Sequence, residues 1–186
     1  MTQQIALMEL AVCGAIWLLA VIWPSKRVWE SEEGVGVPAS RFGMLLIFAG
    51  FAFILTYVRP WGFEKGQAAI IAAMILAPIA AVLAWMARYY LSKRWRVDNK
   101  YDDYFILVKS GPYAIVRHPM YAASLCMLLA IGIAWTPLPM LVLSIFFFVV
   151  GLELRLEKEE LELANRFQDE FAEYQSRVKA YIPFIR

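Results

Sequence analysis

From residue 120 to residue 152 the chain carries no charged side chain, and this stretch limits the possible folds more than any other feature. As a single helix rising about 1.5 Å per residue it would be about 50 Å long, against a hydrocarbon core of about 30 Å. It has to turn back. The break is written at Trp135-Thr136-Pro137-Leu138-Pro139, where two prolines interrupt the helix and a tryptophan suits the boundary with water. The expected product is a hairpin of two short, closely paired helices.

Three earlier runs, 5–23, 42–58 and 67–91, are also apolar, the second slightly short for a crossing and the third carrying Pro78 as an expected kink. Backbone groups in lipid must be satisfied within their own segment, so each run should be a helix. The whole chain is 61% hydrophobic with a mean hydropathy of +0.57, well beyond the roughly 45–50% of an ordinary soluble domain. The fold class that follows is all-α: a polytopic membrane protein with five transmembrane helices, one integral domain over 1–186. Residues 1–91 contribute three of the five. The leading Met-Thr-Gln-Gln has no positive charge, so the first run should stay in the membrane. Glu9, one turn from its start, suits snorkelling to the interface.

A net charge of +2 gives no reason to expect a nucleic-acid partner. Its distribution is more telling. With five spans, one side receives 16 of the Lys and Arg residues and the other keeps only Arg59 and Lys65. Basic residues are retained on the cytoplasmic side of short loops. The N-terminus should therefore lie outside, with the loop after residue 91 and the C-terminal tail together in the cytosol. Cys13 and Cys126 sit in apolar runs without metal or redox spacing and read as small buried hydrophobes. One histidine and no clustered cysteines make a metal site improbable.

Beyond Glu153 the chain becomes charged yet keeps a helical stripe, Leu163, Phe167, Phe171, Tyr174 and Val178. It reads as an amphipathic helix leaving the membrane and packing on the preceding loop or the interface. The segment Tyr181-Ile182-Pro183-Phe184-Ile185 then closes the chain and has the composition to cover a site.

Two windows carry chemistry. In Gly111-Pro112-Tyr113-Ala114-Ile115-Val116-Arg117-His118-Pro119-Met120-Tyr121, Pro119 suits the first helical position with His118 before it. The amides of Met120, Tyr121 and Ala122 should then be free, and with Arg117 beside them they form an anion site. In Arg155-Leu156-Glu157-Lys158-Glu159-Glu160, Arg155 and Glu159 share a helix face and can pair. The windows bracket one hairpin, so both must end on the same membrane face. Opposite charges converging there suit a zwitterionic ligand.

Gly-Pro-Tyr, then Arg-His-Pro-x-Tyr, an apolar hairpin, Arg-x-x-x-Glu-Glu, a Phe-rich helix and Arg177-Val178 before Pro183-Phe184-Ile185 resemble the isoprenylcysteine carboxyl methyltransferases and their phospholipid methyltransferase relatives. The resemblance runs from about Leu107 to the C-terminus and implies that 92–186 is a cofactor-binding catalytic core for S-adenosylmethionine. It implies Leu107, Val108, Gly111, Tyr113, Arg117, His118, Pro119, Tyr121, Glu159 and Glu160 as cofactor contacts. Arg155 and Glu159 would be the catalytic pair, Arg155 near an acceptor that enters from lipid. That acceptor would be a lipophilic small molecule, a prenylated cysteine or a phospholipid amine. Gln168 stands where the family often has glycine, and Lys158 interrupts what is often a longer acidic run. Membrane sterol and steroid reductases share a His-Pro motif and bind a nicotinamide cofactor, but Met120 stands where they usually have asparagine. A glycine pattern at 34–39 fails as a dinucleotide fingerprint, because no strand precedes it and Pro38 interrupts it.

Overall fold

A computed structural model describes residues 2–22, 37–57, 65–94, 107–183 and 185. Five α-helices follow in order, α1 Thr2–Ile22, α2 Val37–Leu55, α3 Gln67–Arg94, α4 Pro119–Trp135 and α5 Leu138–Arg177, with a short 3-10 helix, Gly111–Ala114, ahead of α4. Among the described residues there is no strand, and one isolated parallel bridge joins Val116 to Lys179. Gln4–Ile22, Gln67–Leu91 and Leu138–Arg177 are long and apolar enough to cross a membrane, while Arg41–Leu55 and Pro119–Trp135 are apolar but shorter. Large apolar side chains such as Met8, Ile22, Leu45, Phe48 and Phe146 stay exposed on the outer faces, as helices solvated by lipid require. The loop residues Lys26, Arg27, Arg59, Arg96 and Lys100, the glycine pattern at 34–36, the side chains of Lys93 and Arg94, and Phe184 and Arg186 lie outside the described residues.

The chain does turn back at residues 136–137. Thr136 closes α4 by donating its amide and its Oγ1 to the Gly132 carbonyl, each at 3.0 Å, and Pro137 leads into α5. Lys65 donates its Nζ to the Thr136 carbonyl, and the Trp135 indole donates to the Tyr57 carbonyl at 3.3 Å. Carbonyls left over at a helix end are thus finished by side chains.

The hairpin departs from the expected pair of short, closely paired helices in two ways. Its second arm continues past the apolar stretch into the charged amphipathic one, reaching Arg177 as two helical segments that meet at a kink at Gln168. The arms also pack less on each other than α4 packs on α3 and α5 on α2. Side-chain size explains that choice. Ala73, Ala77, Ala80 and Ala84 of α3 are fully buried, and the first two and the last cluster with Ala130, Ala134 and Ala123 of α4.

The α2 and α5 backbones come closer still. A Cβ added to Gly151 would lie 2.5 Å from the Gly43 carbonyl oxygen, and one added to Gly50 would lie 2.8 Å from that of Ser144. Lipid offers helices no hydrophobic drive to associate, so close contact between small residues is what holds them. This seam joins residues of 1–91 to residues of 92–186.

α3 passes through Pro78 as one helix. Cys13 and Cys126 are free thiols but half-buried, rather than buried as expected, Cys13 lying at the edge of the cluster of Leu10, Ala73, Ala77, Ala130 and Ala134. Past Leu152, the stripe of Leu163, Phe167, Phe171, Tyr174 and Val178 closes over Leu107. α5 is kinked at Gln168, whose φ of 44° and ψ of −119° are not helical. That backbone region favours glycine.

Candidate active site

The approach to α4 is built on backbone. Leu107 and Val108 are buried, Leu107 against Phe171 and Tyr174. Gly111 has φ of +64°, and a Cβ there would meet the Tyr90 ring at 2.5 to 2.6 Å, so both conformation and space require glycine. Tyr174 donates its hydroxyl to the Tyr113 carbonyl at 2.5 Å. Burial raises both phenols, that of Tyr174 to about 12, so both remain protonated donors at neutral pH.

Residues 179–181 return to the start of α4. The amides of Arg117 and His118 donate to the carbonyls of Lys179 and Ala180, each at 2.8 Å. Tyr181, also buried, donates its hydroxyl to Glu153 Oε1 at 2.7 Å. The closing aromatic segment therefore straps the start of α4 to the middle of α5.

His118 precedes α4 and Pro119 occupies its first turn, as the sequence suggests. The anion site expected there is different. The amides of Tyr121 and Ala122 both donate to the His118 carbonyl at 3.1 Å, because the first turn tightens, so they are not free. Arg117 also turns away. Its Nε and Nη2 donate to Glu160 Oε1 at 3.1 and 2.5 Å, and its Nη1 donates to the carbonyls of Gln175, at 3.3 Å, and Val178.

The two charged windows meet in a single cluster at the end of the hairpin away from Thr136. His118 Nε2 lies 3.3 Å from Glu160 Oε1, and its Nδ1 lies 3.7 Å from Glu159 Oε2. Tyr121 donates its hydroxyl to Glu159 Oε1 at 2.5 Å and accepts from Arg155 Nε, which also lies 2.8 Å from Glu159 Oε1. The i,i+4 pairing of Arg155 with Glu159 is therefore real, with a third partner from α4. Burial pushes the Glu160 carboxyl up, but the hydrogen bonds from His118 and Arg117 and their charges outweigh it and hold the group at about 2.

Of the expected site residues, Leu107 packs on Phe171 and Tyr174, Gly111 faces Tyr90, the Tyr113 carbonyl accepts from Tyr174, and Val108 and Pro119 are buried, whereas Arg117, His118, Tyr121, Arg155, Glu159 and Glu160 stand together. Their commitments differ. Both Glu160 oxygens are engaged, Oε2 by Gln175 Nε2 at 2.9 Å. Among the described residues Glu159 Oε2 has only the long contact with His118, and its side chain is 31% exposed. Sequence reasoning missed Gln175 and the Glu153–Tyr181 pair. Gln175 lies in no motif, while the aromatic content of 181–185 was the available signal for the strap. A surface depression lined by Lys109, Ala114, Glu173, Tyr174, Arg177 and Val178 shares no residue with the charged cluster. Among the described residues no three His, Cys, Asp or Glu side chains group as metal ligands.

Residues 68–170 match the phospholipid methyltransferase family. The chain is 37% identical over 91 residues to the protein-S-isoprenylcysteine O-methyltransferase of Saccharomyces cerevisiae, covering 48% of this chain and 37% of the relative. It is 35% identical over 77 residues to the cobalt-zinc-cadmium resistance protein CzcN of Cupriavidus metallidurans, covering 41% of this chain and 35% of the relative. The matches thus span little more than a third of either relative's length.

Proposed function

The chain belongs to the phospholipid methyltransferase family, and from that premise we propose that it is an S-adenosylmethionine-dependent membrane methyltransferase acting on a lipophilic acceptor. The observation that carries this reading is the meeting of His118, Tyr121, Arg155, Glu159 and Glu160 in one buried to half-buried polar cluster beside an apolar bundle. The yeast relative's name favours a carboxyl acceptor such as an isoprenylcysteine over a phospholipid amine.

The donor set suits the cofactor. S-adenosylmethionine would supply an electrophilic methyl group and present an ammonium, a carboxylate and ribose hydroxyls to the protein. Glu159 Oε2, whose contact with His118 at 3.7 Å is longer than a hydrogen bond, is the carboxylate oxygen best placed to accept from an ammonium or hydroxyl. The face of Tyr113 suits a sulfonium. Leu107, Val108, Gly111 and Pro119 would exclude water along the wall. Glu160 and Arg117 would hold the shape of the pocket from behind, since their polar atoms already satisfy each other.

Arg155 is the acceptor-side residue in this reading. A guanidinium grips a carboxylate in two places, which orients the nucleophilic oxygen. Methyl transfer to a carboxylate needs placement and dryness rather than a general base. Five crossings with the N-terminus outside and the cluster cytosolic complete the proposal, the basic residues supplying the orientation.

Titration of the purified protein with S-adenosylmethionine and, separately, NADPH tests the cofactor. Binding of the first alone is expected, and binding of NADPH alone would return the chain to the reductase reading. Labelled methyl transfer to a prenylcysteine, a phospholipid amine and a lipophilic thiol then ranks the acceptors. Single cysteines placed at Gly62 and Asn99 should label from opposite sides. Labelling from the same side would overturn the orientation.

A further inference from the structure

Resting on the methyltransferase reading, we propose that Tyr121 is a positioning residue for Arg155, fixing the plane of its guanidinium relative to the start of α4 so that an anionic acceptor is held in line for transfer. Arg155 and Glu159 lie on one helix, four residues apart, at 2.8 Å. Such a pair is weak by itself and, lying within one helix, does not tie the arginine to another element. Tyr121 supplies a tie to α4. Its hydroxyl accepts from Arg155 Nε and donates to Glu159 Oε1 at 2.5 Å, closing a triangle of two residues of α5 and one of α4.

The tyrosine is itself held by packing. Its ring lies against the cluster containing Ile47, Phe148, Leu152 and Leu156, and its centroid is 6.0 Å from that of His118. It sits two residues after Pro119, where the backbone is already locked by the His118 carbonyl bonds. The hydroxyl therefore has a fixed position to which a long, flexible side chain is referred. Arginine has many rotamers to lose, and anchoring at Nε sets the direction of the guanidinium plane. Transfer depends steeply on such alignment, a misplacement of about 1 Å costing on the order of 100-fold.

This assigns Tyr121 a different task from that of a cofactor contact, and the two separate by measurement. Tyr121→Phe keeps the ring and removes the hydroxyl. The expected result is a fall of about tenfold or more in acceptor turnover, with S-adenosylmethionine affinity within about twofold of the unaltered protein. Combined with Arg155→Lys, the phenylalanine should add less than about a further twofold, because both changes act through one guanidinium. Multiplicative losses, unchanged turnover, or a loss confined to cofactor affinity would each overturn the proposal.

A second measurement leaves the hydroxyl in place and covers a Tyr121→Phe variant that does not fold. With 3-fluorotyrosine at position 121, the fluorine resonance should shift on Arg155→Lys and on adding a non-reactive acceptor analogue, and S-adenosylhomocysteine alone should leave it nearly unmoved. A shift with S-adenosylhomocysteine alone overturns the positioning role. If the unaltered protein transfers no methyl group to any acceptor, the methyltransferase reading fails. The fluorine response to Arg155→Lys would still report whether Tyr121 holds that arginine.

Discussion

Four residues apart on α5, Gly151 and Arg155 solve opposite problems. At Gly151 the helix meets α2 so closely that a Cβ would lie 2.5 Å from the Gly43 carbonyl oxygen, 2.8 Å from Leu46 Cβ and 2.9 Å from the Ile47 amide nitrogen. At Arg155 it meets α4 through long side chains that bond one another. The seam is apolar and leaves no room for an added atom, while the cluster is charged and held by side-chain hydrogen bonds and ion pairs. The two are also in contact, because a Cβ at Gly43 would lie 3.3 Å from the Arg155 amide and 3.4 Å from its Cβ. Steric contact sets where the helix runs, and the polar network then works from that fixed start.

The largest stability change should follow Glu160→Ala, which leaves the Arg117 guanidinium, 8% exposed as a residue, without its carboxylate. Breaking a buried ion pair costs about 3–5 kcal/mol; with part of Glu160 open to water, a loss of about 3 kcal/mol is expected in thermal inactivation of the solubilised protein. The same group gives a pH test. Its folded value of about 2 lies below the ordinary 4.5, so its stabilising contribution is complete above that ordinary value and is lost as the pH falls from there through about 2. Glu160→Gln should flatten this acid dependence, and a profile that keeps its slope would place the sensitive group elsewhere.

Gly151→Ala comes next. The added methyl meets backbone atoms on α2, so the helices must separate, at about 2 kcal/mol for overpacking. Gly43→Ala sharpens the comparison, because it pushes on the same seam while touching Arg155 directly. It should reduce methyl transfer more than S-adenosylmethionine affinity. Equal losses would mean that the seam supports the whole site rather than the arginine.

At the turn end, Lys65→Ala removes one donor from the Thr136 carbonyl and should cost about 1 kcal/mol in the same melt, without affecting cofactor binding. A change of several kcal/mol would show the turn to be as demanding as the charged cluster. The smallest effect has the opposite sign. Gln168 holds φ of 44° at an exposed kink, and Gln168→Gly should stabilise the protein by about 0.5–1 kcal/mol by relieving that backbone. A loss instead would mean that the glutamine side chain holds the kink.

The sequence by itself determined the helical class, the reversal at Pro137 and Pro139, the stripe from Leu163 to Val178, and the two charged windows. Each of these is local: hydrophobic length, proline stereochemistry, helical period and motif order can be read along one segment. The family resemblance also marked Gln168 as standing where glycine is frequent, a departure that the kink makes physically intelligible. Tertiary structure alone decided that α5 lies on α2 through Gly43 and Gly151, since those glycines are 108 positions apart and neither belongs to a motif. It decided that Arg117 bonds Glu160 rather than waiting at the helix N-terminus, and that the chain end straps Tyr181 to Glu153. These outcomes turn on which side chain reaches which partner first across separate helices, and the distances involved exist only once the backbones have packed.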